Sequence, residues 1–453
     1  MDLRTVIDSA YRAGKKEAAD EIEVFAASTE TLSLYVDDSR TKSVERKVDT
    51  GLAVRVAIGK RLGQSSFTCN SLRDAEECAR AAARVAGLSP PDSKYERFAI
   101  GGRASFSPDV WDERVAGMAG PDLSELSRQI VDSCVERGDV KVPRGMIRTA
   151  RVETCVRSSS GVEVDHRNTM VYLHFTSMSL GSKPGEGVER FYSPHLRGLE
   201  ASDLGRALRE GALSSSRTVP FKGRRKGETL LKSSSLAEMI LSSVAMALDS
   251  ENVHRRRSAW IGKEGENVAS DPITILDDPS DGRGMLSAAY DDEGAPATKR
   301  TLVERGVLRS FLYDSYNARL DSLLTSGNGM RRLPDESLGT YLLPVSVSPM
   351  NLTIAPGRKS LDELISSIDD GVVIERFAYP KVNEITGAFG LEVRCAHIVK
   401  RGEAVETVGK ALLVGNMFEA LKDVKEVGSD STVVKNCIVP SVVFGSMELV
   451  GSD

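Results

Sequence analysis

Gly51–Cys69, GLAVRVAIGKRLGQSSFTC, is a strand, a turn and a second strand. Leu52, Val54, Val56 and Ile58 alternate with other residues, which puts them on one face of a pleated strand. Gly59 supplies the backbone freedom that the turn needs. Ser71 follows, with Asp74 at the capping-box position, so a helix should run from there through Arg84. Upstream, Leu3, Val6, Ile7, Ala10 and Tyr11 recur at helical spacing over 2–13. Between that helix and the hairpin, EIEVFAAS and TLSLYVDD read as two strands, the second with Leu32, Leu34 and Val36 alternating. The whole run is α-β-β-β-β-α, an antiparallel sheet carrying helices on one face.

A connection with little regular structure is expected over 88–121, where four prolines fall among small and polar residues. A helix over 122–137 and a second strand set from near Met146 come next. They are followed by a turn at Ser160-Gly161 and a helix after Ser202, a loose echo of the first set. The polar, glycine-containing FKGRRKG at 221–227 marks a boundary, giving domains 1–220 and 221–453. Beyond it lie a long apolar helix at 234–249, shorter helices at 360–368 and 416–422, and strands. Arg-Gly sits at the turns of LVERGVLRSFL and HIVKRGEAVETV. The expected fold is α+β: an N-terminal antiparallel sheet with packed helices, then a mainly β domain, barrel- or sandwich-like, containing one buried helix.

The chain has 453 residues, 40% hydrophobic and 28% charged, with a net charge of −5. That balance fits a folded protein of two or three domains and argues against a nucleic-acid binder. The basic runs GRRK (223–226) and HRRR (254–257) read as solvated surface or a subunit contact. No apolar run reaches the roughly 18 residues of a membrane helix, and the N-terminus lacks a secretory apolar stretch. The six cysteines, Cys69, Cys78, Cys134, Cys155, Cys395 and Cys437, form no CxxC pair. Reduced thiols in the cytoplasm are the expectation.

Local chemistry is sparse. No two of His166, His174, His195, His254 and His397 lie within four residues of each other, and no GxSxG elbow, Walker loop or dinucleotide fingerprint occurs. Thr325–Arg332, TSGNGMRR, is glycine-rich but lacks the order of a phosphate loop. Asp291, Asp292 and Glu293 stand side by side in AYDDEGAP. Adjacent strand side chains point to opposite faces, so the three cannot easily converge on one cation. Turn formation and bonds to local amides are the reading their spacing favours.

Taken in order, DDEGAP (291–296), GVLRSFLYDSYNAR (306–319), TSGNG (325–329), PMNLTIAPG (349–357), VNEITGAFG (382–390), LLVGNMFEALKDVKEVGSD (412–430) and PSVVFGSMELVGSD (440–453) resemble the TldD/PmbA family, in particular its PmbA (TldE) branch. The match is continuous from about Gly227. It is thinner before that, through GLAVRVAIGKRLGQSSF and SSSGVEVDHRNTMVYLHF. The resemblance implies a cytoplasmic metalloprotease assembly, a family also labelled modulators of DNA gyrase. Its catalytic TldD partner holds zinc through a His-Glu-x-x-x-His helix, assisted by a cysteine near the C-terminus.

In LAEMILSSVAMALDS (236–250) the positions matching that motif are Ser242, Ser243 and Ala247, and no histidine occurs in the helix. Alcohols and a methyl cannot replace imidazole. Cys437 alone would be a poor zinc site. The chain is therefore expected to be a non-catalytic pseudoenzyme subunit: no catalytic residue, no metal or cofactor of its own, with zinc in the TldD-like partner. Unfolded peptides would be the substrate of the assembly, and neither nucleic acid nor membrane is expected as a partner. Asp291, Asp292 and Glu293 are then expected in a loop facing substrate or the partner. The alternative is a homodimer that binds peptides without cutting them.

Overall fold

Asp2 caps the first helix, α1 (Leu3–Lys16), by accepting from the Thr5 N–H; Leu3, Val6, Ile7, Ala10 and Ala13 form its buried stripe. Three antiparallel strands follow, β1 (Glu21–Asp37), β2 (Arg40–Ile58) and β3 (Arg61–Thr68), and then α2 (Leu72–Leu88), which opens on the Ser71–Asp74 capping box. After α3 (Glu113–Gly117) the pattern recurs as α4 (Gly120–Val135), β4 (Val140–Ser158), β5 (Glu163–Ser179), β6 (Glu186–Ser193) and α5 (Ala201–Ser216). The six strands form one sheet in the order β3-β2-β1-β4-β5-β6, so the echo heard in the sequence is symmetric about the β1–β4 pair. The computed structural model describes residues 2–17, 19–333 and 338–451.

One expectation changes. EIEVFAAS and TLSLYVDD are not two strands but a single strand of 17 residues. The polar step Ser28-Thr29-Glu30 breaks nothing, because β2 and β4 pair with it on both sides. Every backbone group there finds a ladder partner, and that outweighs the local polarity.

Alternation gives the sheet two working faces. Ile22, Val24 and Ala26 pack under α1 and α2, and Leu34 and Val36 under α4 and α5. The opposite face is also covered. Ala150, Val152, Met170 and Tyr192 join the core of the C-terminal half, while Phe25 and Ala27 pack with Tyr341. The connection after α2 runs between the halves: Tyr316 Oη donates to Asp92 at 2.8 Å and the Ala104 N–H to Tyr290 Oη at 3.2 Å.

The C-terminal half comprises β7 (Val219–Pro220), β8 (Arg224–Leu231), α6 (Ser233–Leu248), α7 (Ser250–His254), β9 (Ile275–Asp277), β10 (Arg300–Glu304), β11 (Val307–Leu308), α8 (Ser315–Leu320), β12 (Gly329–Met330), β13 (Ser346–Val347), β14 (Leu352–Ile354) and α9 (Leu361–Ser366). It continues with β15 (Asp370–Phe377), β16 (Ala388–Lys400), β17 (Glu403–Gly409), β18 (Ala411–Asn416), α10 (Met417–Leu421), β19 (Val424–Val427), β20 (Thr432–Val434), β21 (Cys437–Val439) and β22 (Val442–Val450). Strands β15, β8, β22, β18 and β16 pair in turn, and β16 pairs back with β15, so these five close into a barrel. A second sheet runs β11-β10-β9-β14-β21-β20. Helix α6 packs in the core these sheets share: Leu236, Ile240, Val244 and Leu248 cluster with Ile275 and Leu352 of one and Val393, Leu413 and Phe444 of the other. Strand β7, the last two residues of the range 1–220, already pairs in parallel with β17.

Candidate functional site

The AYDDEGAP loop lies where the two halves meet. Asp291 accepts from the N–H groups of Glu293, Ala295 and Gly329 at 2.9–3.0 Å. Asp292 accepts from the N–H groups of Arg331 and Arg332 at 2.7 and 2.9 Å and from Arg332 Nε at 2.7 Å. Glu293 accepts from the Ser315 N–H and from the Arg55 guanidinium, both at 2.7 Å. Arg55 comes from β2 and also grips Glu23, its direct cross-strand neighbour on β1. The three carboxylates are each at most 2% exposed. Their buried side chains tie TSGNGMRR and the start of α8 to the N-terminal sheet. Glu293 lines a cavity of about 300 Å³, walled also by Arg55, Phe98 and Asp314.

Electrostatics follow from this burial. Burial raises the Asp291 carboxyl well above the ordinary range, and the charge on Glu293 adds to it. Burial also acts to raise Glu293, but Arg55 and the Ser315 N–H outweigh it, and the net shift is downward. Burial, with the Glu293 charge, lifts Asp314 to about 6. Arg331 is pushed down to about 10 by burial and by the nearby Arg55 charge, and its guanidinium lies 5.4 Å from the Phe25 ring centre. The sequence reading passed over Arg55, Arg331 and Arg332. Arg55 carries one local signal: a cation between Val54 and Val56 in an otherwise apolar strand segment.

Helix α6 carries the motif positions. Its open stripe, Glu238, Leu241, Ser242, Ala245 and Met246, lines a cleft of about 430 Å³ together with Asp249, Arg332, Val347, Tyr379 and Lys381. Ser242 is on that wall, whereas Ser243 and Ala247 are fully buried on the core side. Both serines return their hydroxyls four residues back, Ser242 to the Glu238 carbonyl at 2.9 Å and Ser243 to the Met239 carbonyl at 2.6 Å. The trio at the His-Glu-x-x-x-His spacing that faces the cleft is Leu241, Ser242 and Met246, one residue before Ser242, Ser243 and Ala247. An alkyl, an alcohol already bonded to a carbonyl and a thioether do not fit zinc.

The remaining candidates stay apart. Cys437 is fully buried and burial pushes its thiol up. His254 bonds Asn317 Oδ1 and Asp321 at 2.9 Å each. His166 is held neutral by burial and the Arg332 charge. Among the described residues no three His, Cys, Asp or Glu side chains are grouped to hold a metal ion, and no helix is long and apolar enough to cross a membrane.

A wider cleft of about 570 Å³ continues past Glu238 and Pro380, which line both cavities, and is walled by β6 residues 186–190, Lys232, Glu375 and Thr432. The chain is α+β, with a strand-edged groove running along a buried helix. The chain belongs to the PmbA/TldD family. Residues 224–451 match its PmbA/TldA metallopeptidase C-terminal domain and residues 22–86 its metallopeptidase domain 1. An uncharacterized protein of Methanocaldococcus jannaschii is 26% identical over 447 residues, 98% of this chain and 99% of that one. Metalloprotease PmbA of Escherichia coli O157:H7 is 23% identical over 449 residues, 96% and 93% of the two chains. The crystal structure of TldE from Thermococcus kodakarensis has the same fold, with a TM-score of 0.87 at 22% identity, covering 98% of this chain and all of that one.

Proposed function

We propose that this chain is the non-catalytic subunit of a cytoplasmic TldD/TldE-type metalloprotease, closing the chamber and holding unfolded peptides for a zinc-bearing partner. One observation carries the reading: the wall of α6 that faces the cleft offers Glu238, Leu241, Ser242, Ala245 and Met246, and no imidazole. A catalytic zinc takes three protein ligands and an open position, and this face supplies no such set, so no metal or other cofactor is assigned to the chain. The cleft suits a peptide instead. Leu241, Leu286, Val347, Pro349 and Tyr379 provide apolar contact and Arg332, Lys381 and Asp249 provide charge. Strands β6 and β20 are the last strands of their sheets, and strand addition at a sheet edge recognises the main chain more than side chains.

Native co-purification tests the reading. A zinc-bearing homologue recovered in equal amount, with peptidase activity only in the complex, is the expected result. A chain recovered without such a partner that still binds extended peptides would replace this reading with the homodimeric peptide binder.

A further inference from the structure

The cavity of about 300 Å³ that Glu293 lines is built from both halves of the chain: Arg55, Tyr95 and Phe98 on one side, Glu293, Asp314 and Ser315 on the other. It opens past Gln64 and Arg97, which are exposed. Its charges do not balance. Arg55 is already bonded to Glu23 and Glu293. Asp314, 7% exposed, accepts from the Asn317 N–H at 2.7 Å and from Asn317 Nδ2 at 2.9 Å, both at Oδ1. Among the described residues its Oδ2 has no hydrogen-bond partner. Burial and the Glu293 charge lift this carboxyl to about 6, with the Arg55 charge offsetting only part. Two further groups in the wall are unsatisfied. The Tyr95 and Ser315 hydroxyls, on residues 4% and 6% exposed, have no hydrogen-bond partner among the described residues, and buried polar groups rarely stay so.

We propose that this cavity binds a small primary amine as its ammonium ion, with the charge at Asp314 Oδ2 and the alkyl body against Leu62, Phe98 and Val345. The free groups select this class. Asp314 Oδ1 is taken, and a single free oxygen suits the point charge of an ammonium better than the planar fork of a guanidinium, which pairs with both oxygens. The Phe98 ring already carries the Arg55 guanidinium, 5.0 Å from its centre, so the aromatic face is not open to a second one. An ammonium has three N–H donors and no acceptor, and the two free hydroxyls can accept. A divalent metal ion is a poor fit, since one free carboxylate oxygen falls far short of the roughly six to eight oxygens that calcium takes. The volume lies at the lower end of the range that holds small ligands, about 300–1,000 Å³. The site is separate from the α6 cleft and holds whether or not the chain has a zinc-bearing partner.

Isothermal titration of the purified protein with n-butylamine tests the proposal, at about pH 7.5, where an alkylamine is charged and Asp314 is ionised. Saturable binding of one amine per chain is expected. n-Butanol, the same shape without the charge, and tetramethylammonium, a charge without N–H donors, should each bind at least about tenfold more weakly. Asp314→Asn keeps an oxygen to cap α8 but removes the charge, and should weaken n-butylamine by at least about tenfold. Tyr95→Phe leaves that cap untouched and deletes one accepting hydroxyl, for an expected loss of about threefold; it carries the test if Asp314→Asn does not fold. Asp271→Asn, at an exposed surface ion pair, should bind as the wild type does. No saturable binding by the wild type, equal binding of n-butanol, or undiminished affinity in folded Asp314→Asn or in Tyr95→Phe would overturn the proposal.

Discussion

The Arg55 guanidinium of the N-terminal sheet donates to Glu293 of the C-terminal half at 2.7 Å, across 238 residues of sequence, while its other bonds hold Glu23. Burial works against the charge on Arg55, but the two carboxylates outweigh it and hold the cation. The relationship makes one face of the first sheet the floor of the second domain, and so sets where the α6 cleft lies against β6.

Arg55→Met should therefore be severe. It leaves Glu23 and Glu293 buried without the cation that hydrogen-bonds them, and breaking a buried ion pair from one side costs about 3–5 kcal/mol. Arg55→Met/Glu23→Gln/Glu293→Gln should recover a large part of the loss, because neutral partners carry no unpaired charge. Denaturant unfolding of both variants checks this. A triple variant no more stable than Arg55→Met would mean that geometry, not charge, governs the junction.

Stability at Asp249 should run opposite to that of an ordinary salt-bridged carboxylate. Burial lifts its folded pKa from 3.8 to about 7. The unfolded chain releases the proton near 3.8, the folded chain near 7, so the group's favourable contribution is whole below about pH 4 and is lost as pH rises to 7. Asp249→Asn keeps an oxygen for the Glu251 N–H, which Asp249 caps at 2.7 Å. Its melting temperature should exceed that of the wild type at pH 8 and match it near pH 4. A pH-independent difference would contradict the burial argument.

Two glycines near one helix should respond in opposite ways. A Cβ at Gly63 on β3 would sit 2.1 Å from the Ala82 carbonyl oxygen and 2.3 Å from the Ala86 nitrogen, so Gly63→Ala must push α2 off the sheet. The expected loss is about 1–3 kcal/mol. Gly87, in the last turn of α2, has nothing within 4 Å of its added carbon, and Gly87→Ala should gain up to about 1 kcal/mol from helix propensity. Thermal melts of the two variants decide it.

Rebuilding the zinc motif should work only in the register that faces the cleft. Leu241→His/Ser242→Glu/Met246→His places all three groups on the cleft wall and should raise zinc affinity over wild type in a metal titration. Ser242→His/Ser243→Glu/Ala247→His puts a carboxylate and an imidazole where Ser243 and Ala247 are 0% exposed, and it should fold poorly. Zinc binding by the second variant with normal stability would move the motif back to Ser242, Ser243 and Ala247.

Where a local rule governed the chain, the sequence carried it. The Ser71–Asp74 cap, the apolar span of α6 and the Arg-Gly turns all stand as read; Arg305 and Gly306 take φ of 47° and 81°, and Arg401 and Gly402 take 50° and 77°. What failed to show was tertiary. Ser28–Glu30 looks like a break until strands on both sides pair with it. Barrel closure through β15 and β16 has no local signature. Arg55, Glu293 and Arg332 find their partners through long-range topology, which no spacing along the chain expresses. For the cleft, periodicity marked α6 as buried on nearly all sides, yet it could not say that Leu241 and Met246 were the apolar residues left at an opening.

Peptidase activity and bound zinc of the purified chain, measured without and with the recovered homologue, test the non-catalytic role most directly. The chain alone should cleave no unfolded peptide and hold no stoichiometric zinc, and both should appear in the complex. Cleavage by the isolated chain, or one tightly held zinc ion per chain, would contradict it.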